Sequence, residues 1–147
     1  MNPTDLTQRP PRSPRVRLGG FAILPRVLDK GRATIAGTSG EYNYNCPLDE
    51  RFLTFAGIDA EALKAQLTEG KGDGDILTWI LETSTTKPSE PSIEAWSDVC
   101  ERRVPSDTES RQFFNEMHTK IAPNREDIVT WFDMLDLDDY VSFGGKP

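Results

Sequence analysis

At 147 residues and net charge -7, with 36% hydrophobic residues and a mean hydropathy of -0.54, the chain is of a size for one domain with a buried core and has no apolar run that could cross a membrane. The acidic balance argues against nucleic acid as a partner, because that interaction needs a basic face. Two cysteines, Cys46 and Cys100, and one histidine, His118, are too few for a disulfide framework or a zinc pattern.

The charge is uneven along the chain. Residues 1–36 carry +5, residues 37–89 carry -5 and residues 90–147 carry -7. Either the basic arm lies across acidic helices of its own fold, or it forms an anion site. Pro3, Pro10, Pro11 and Pro14 keep residues 1–17 extended, and composition alone favours a tail. This arm has no apolar stretch of the secretory type, so a cytoplasmic location is expected. Residues 18–147 are expected to form a single helical domain.

Gly19-Gly20 leads into a first helix over about 21–36, with Ile23, Leu24, Val27, Leu28, Thr34 and Ile35 on one face. The other face is a stripe of small residues, Ala22, Pro25, Ala33 and Ala36, around Asp29. Small residues allow close approach, so this face is expected to be covered by another helix or by a second copy of the chain in a homodimer. Asp29 would then be partly buried and need a cation, with Arg26, Arg32, Arg12 and Arg15 in reach. Gly37 ends the helix, and Glu41-Tyr42-Asn43-Tyr44 fits a short strand or an ordered loop.

Cys46-Pro47 opens a second helix that stops at Gly57, Asp59 caps a third to Glu69, and Asp73 or Asp75 starts a fourth. A Ser/Thr/Pro linker over 83–92 precedes a helix at about 91–103. Ser106-x-x-Glu109 has the capping-box pattern, and Asn124-x-x-Asp127 a weaker one, each before an apolar helical face. Asp136 to Asp139 reads as a solvated end of order, since it lacks the pattern of a calcium loop. The fold class is therefore all-α, about seven short helices in one orthogonal bundle, with room for one short β-hairpin near residues 37–45.

R-S-P-R-x-x-L-G-G, L-D-K-x-R-A and G-E-Y-x-Y-N-C-P-L-D resemble domain-of-unknown-function family 5069, over about Leu6 to Ile80. The resemblance implies a compact bacterial cytoplasmic protein and no particular activity.

No constellation fixes a reaction. Cys46 sits at a helix N-terminus, where thiols are activated, but no general base is near it in sequence. His118 reads as a packed side chain, and neither a metal nor a cofactor is expected. The residues that gather chemistry are Arg12, Arg15, Asp29, Arg32, Tyr42, Tyr44 and Cys46. They predict a concave site bounded by the Glu41–Asp49 loop, with Asp29 and Arg32 supplying its charge. The expected partner is a small anionic or polar ligand. A non-enzymatic binding or interaction module is the preferred function, and a small-molecule enzyme using the same site is the alternative.

Overall fold

The structure, a computed structural model, describes residues 3–147. Among the described residues there are seven helices: α1 (Leu24–Ala36), α2 (Pro47–Ala56), α3 (Ala60–Thr68), α4 (Asp73–Thr83), α5 (Glu90–Arg102), α6 (Thr108–Ile121) and α7 (Trp131–Ser142). The all-α class holds. Residues 37–45 form turns rather than a hairpin, because Tyr42 and Tyr44 send their hydroxyls to separate anchors, Asp139 (2.7 Å) and the Ala60 carbonyl (2.6 Å). The β feature among the described residues is one bridge between Leu18 and Phe21.

Short polar side chains start most helices by accepting otherwise unsatisfied amides. Asp59 accepts the Ala62 N–H of α3 at 2.9 Å, and Ser89 accepts the Ser92 N–H of α5 at 3.2 Å. The two predicted capping boxes are displaced. The cap of α6 is Asp107, paired reciprocally with Ser110. That of α7 is Thr130, whose hydroxyl accepts the Asp133 N–H while Asp133 accepts the Thr130 N–H at 2.8 Å. The Asn124 start is thus overturned, and Asn124 to Val129 belong to the loop before α7. The expected end of order at Asp136–Asp139 is overturned as well. Helix α7 runs through it, because Asp139 turns inward and finds a cation.

Helix α1 is the centre of the molecule, with every residue from Leu24 to Ala33 buried. One side joins the main core of Phe21, Leu28, Phe52, Leu63, Ile76 and Ile80. Gly31 lets α3 approach closely, since a Cβ there would stand 2.5 Å from Leu67 Cδ1. Ala22 and Ala33 are fully buried within the one chain, whereas Ala36 and Ile35 are exposed. A second, smaller core joins α6 to α7 through Phe114, Ile128, Met134 and Leu137.

The arm is a strap rather than a tail. Leu6, Pro11 and Pro14 are buried, the Leu6 N–H donates to the Thr38 carbonyl (2.9 Å), and the Pro14 carbonyl accepts the Ile23 N–H (2.9 Å). Composition missed this because apolar anchors as sparse as Leu6 and two prolines do not make a periodic pattern.

Candidate functional site

A helix buried on all sides must neutralise whatever charge it carries. Helix α1 carries four charged side chains, and each meets an opposite charge from a different part of the chain. Asp29 accepts the backbone N–H of Arg12 (2.8 Å) and its guanidinium (2.9 Å). Arg32 and Arg12 converge on Asp73 at the start of α4, both at 2.8 Å. Burial works against the Arg12 cation, but hydrogen bonds to Asp29 and Asp73 outweigh it and push its pKa up. Arg26 reaches Asp139 of α7 at 2.8 Å, and Lys30 reaches Asp49 of α2 at 2.8 Å. Further along the strap, Arg15 pairs with Asp133 and Asp136, and Arg17 with Asp98 and Glu101. The basic arm therefore lies across acidic helices of its own fold.

Beside the last two α1 pairs lies a cavity of about 520 Å³, within the range of small-molecule sites. Its polar wall comes from Arg26, Lys30, Tyr42, Cys46 and Asp138, with Glu41 and Asn43 from the loop. Leu6 of the strap, Leu48 of α2, and Leu135 and Phe143 from α7 and its end supply the apolar wall. Tyr42 is held twice. Its ring lies under the Arg26 guanidinium (5.5 Å to the centroid), and its hydroxyl donates to Asp139. Burial first, and then that bond to Asp139, raise the Tyr42 pKa well above its usual value, so the phenol stays protonated. Cys46 Sγ stands 3.2 Å from Lys30 Nζ, and Asp49 Oδ2 accepts the Asn45 N–H at 2.9 Å, fixing the turn into α2. Burial, and then the Asp139 charge, push the Asp138 carboxyl up.

The seven residues singled out by sequence are thus divided. Tyr42 and Cys46 line the cavity. Arg12, Asp29 and Arg32 form the clamp with Asp73 and lie outside it, Arg15 pairs with α7, and Tyr44 packs toward α3 with its hydroxyl on Ala60. The cavity's charge comes from Arg26, Lys30, Glu41 and Asp138 rather than from Asp29 and Arg32. Arg26 and Lys30 stand four apart on one face of α1, which is a legible spacing. The signal was hidden because their partners, Asp139 and Asp49, are 113 and 19 positions away. His118 lies elsewhere, on α6, with Nε2 2.6 Å from the Arg125 carbonyl.

The family model described as "Domain of unknown function (DUF5069)" matches residues 8–141. The chain belongs to this family. Within this DUF5069 domain fall both the four ion pairs of α1 and most of the cavity wall, Leu6, Thr7, Ser142 and Phe143 excepted. No curated protein matches the sequence. Among the described residues no helix is long and apolar enough to cross a membrane, and no three His, Cys, Asp or Glu side chains group as a metal site would need.

Proposed function

We propose that the protein is a non-enzymatic ligand-binding module whose cavity takes a small polar molecule: an amine, or another hydrogen-bond donor, on an apolar body. The carrying observation is Asp138. It is half-buried in the cavity wall, and no hydrogen bond or ion pair reaches its side chain among the described residues. The attraction of a ligand cation offsets the two causes of its raised pKa, the desolvation and the neighbouring Asp139 charge. An anionic ligand would instead have to compete with Asp139 for Arg26, or with Asp49 for Lys30. Leu48, Leu135 and Phe143 suit the apolar body. Cys46 and Cys100, neither in a disulfide, fit a cytoplasmic setting.

Thermal melts of the full chain with hexylamine and with hexanoate test this reading, because the two share an alkyl body and differ in head-group sign. Hexylamine is expected to raise Tm in the wild type and to lose that effect in Asp138→Asn. Equal stabilisation by hexanoate, or an unchanged amine effect in the variant, overturns the reading.

One observation favours the enzyme alternative. Cys46 lines the cavity beside the Lys30 ammonium at the N-terminus of α2, the surroundings a nucleophilic cysteine uses. Iodoacetamide labelling followed by mass spectrometry separates the readings: an enzyme of this type is modified at Cys46 far faster than a small free thiol is, and a binding module is not.

A further inference from the structure

A second concavity, of about 870 Å³, lies on the other side of the α2 N-terminus and shares Leu48 and Leu135 with the first as a common wall. Its floor is aromatic. Phe55 and Trp96 lie parallel, centroids 4.6 Å apart with 2° between their planes, and Trp131 adds a third ring.

Two arginines, Arg51 of α2 and Arg103 at the end of α5, line the same groove. Elsewhere in the molecule Arg12, Arg15, Arg17, Arg26, Arg32 and Arg125 each meet a carboxylate, and Arg9, Arg102 and Arg111, which meet none among the described residues, are exposed. Arg51 and Arg103 meet none among the described residues, and Arg103 is half-buried. Burial, and then the Arg51 charge, push the Arg103 pKa down. An acidic protein that leaves two neighbouring guanidiniums unneutralised beside aromatic rings offers planar, bidentate recognition of a carboxylate.

Glu50 and Asp107 also line the groove, each at the start of a helix. Asp107 accepts the Ser110 N–H at 2.7 Å as the cap of α6, and Glu50 stands in the first turn of α2. Both offset the positive end of a helix, and neither pairs with Arg51 or Arg103 among the described residues, so the two guanidiniums stay open to a ligand carboxylate.

We propose that this groove is a second binding site, for an aromatic carboxylate whose ring packs on Phe55, Trp96 and Trp131 and whose anion is held by Arg51 and Arg103. Rings supply the area and the guanidiniums the orientation, so neither an aromatic cation nor a small aliphatic anion satisfies the site.

The test is calorimetry and amide-nitrogen NMR of the full chain with indole-3-acetate, tryptamine and acetate. Indole-3-acetate is expected to bind with a Kd of about 1 mM or tighter. It should shift the indole N–H signals of Trp96 and Trp131 but not that of Trp79, which lies outside the groove. Arg51→Gln and Arg103→Gln should each weaken it by about tenfold or more, as for hydrogen bonds to a charged group. Arg51 is exposed, so its variant carries the test even if the Arg103 variant folds poorly. Tryptamine binding as well as indole-3-acetate, insensitivity to both substitutions, or shifts confined to Trp79 overturn the proposal. So does a change in oligomeric state by sedimentation in Arg51→Gln, which would make the groove an interface between copies of the chain.

Discussion

The guanidinium of Arg26 and the carboxylate of Asp139, side chains 4% and 8% exposed, meet at 2.8 Å and tie the central helix to α7. Removing one partner of such a pair leaves the other charged and dry. Asp139→Ala is expected to cost about 3–5 kcal/mol in urea unfolding. The double variant Arg26→Met/Asp139→Leu should recover most of that loss, because an apolar pair has no charge to bury. A double variant as unstable as Asp139→Ala would show that Tyr42, which donates to the same carboxylate, is the more important partner.

Acid should loosen the molecule at its clamp. Burial alone would raise the Asp73 carboxyl, but hydrogen bonds from Arg12 and Arg32 outweigh it and hold it below the usual range. Asp133 is likewise held down, its burial outweighed by the Thr130 and Val129 amides. The stability these carboxylates contribute is full above the unfolded value of about 4 and is lost as pH falls through their lower folded values. Asp138 has the opposite sign. Its raised pKa gives stability that is full below the unfolded value and is lost as pH rises through the folded one. Asp138→Asn is therefore expected to stabilise the ligand-free chain at pH 7 and to leave it unchanged near pH 3. Urea midpoints across that range check both effects.

Ile23 enters α1 with φ 74, a positive value that a β-branched side chain resists, at roughly 1–3 kcal/mol. Its side chain is fully buried and its N–H is held by the Pro14 carbonyl. Ile23→Ala should cost about 2–5 kcal/mol through the lost side chain. Ile23→Gly removes more atoms yet should cost less, since glycine adopts this φ freely. Chemical denaturation of the two variants decides: the reverse order would mean that the strain is relieved elsewhere.

Asp29 is expected to act as a fastener rather than as a ligand group. Asp29→Asn weakens the hold on Arg12, and deletion of residues 1–17 removes Arg12 and Arg15 altogether. Both changes should lower Tm, the deletion by about 5–10 °C. Scanning calorimetry with melts unchanged in both would show that the strap adds nothing to stability.

Much of the fold was legible because it is written locally. Periodicity placed α1 to α6 and only the first turns of α7, and glycine or a short polar cap marked most of the helix ends. The misplaced starts of α6 and α7 show the limit: Ser106 and Asp107 are both good caps in sequence, and in the fold it is Asp107 that accepts the Ser110 N–H. The candidate site was legible by half. Tyr42 and Cys46 stood out through their loop, and the covered face expected from the small residues of α1 holds for Ala22 and Ala33 but not for the exposed Ala36. Asp138 and Asp139 looked like solvent-facing charge because nothing near them in sequence reveals Arg26. A long-range ion pair leaves no periodic trace.

The strap also bears on how the chain is made. Arg15 finds Asp133 and Asp136 across 118 and 121 positions. At roughly 5–20 residues per second, synthesis separates these partners by about 6–24 s. Through that interval Arg15 and Arg26 wait for the carboxylates of α7, whereas the partners of Arg12, Lys30 and Arg32 are made earlier. The strap and the central helix are thus fully neutralised only once α7 has been made.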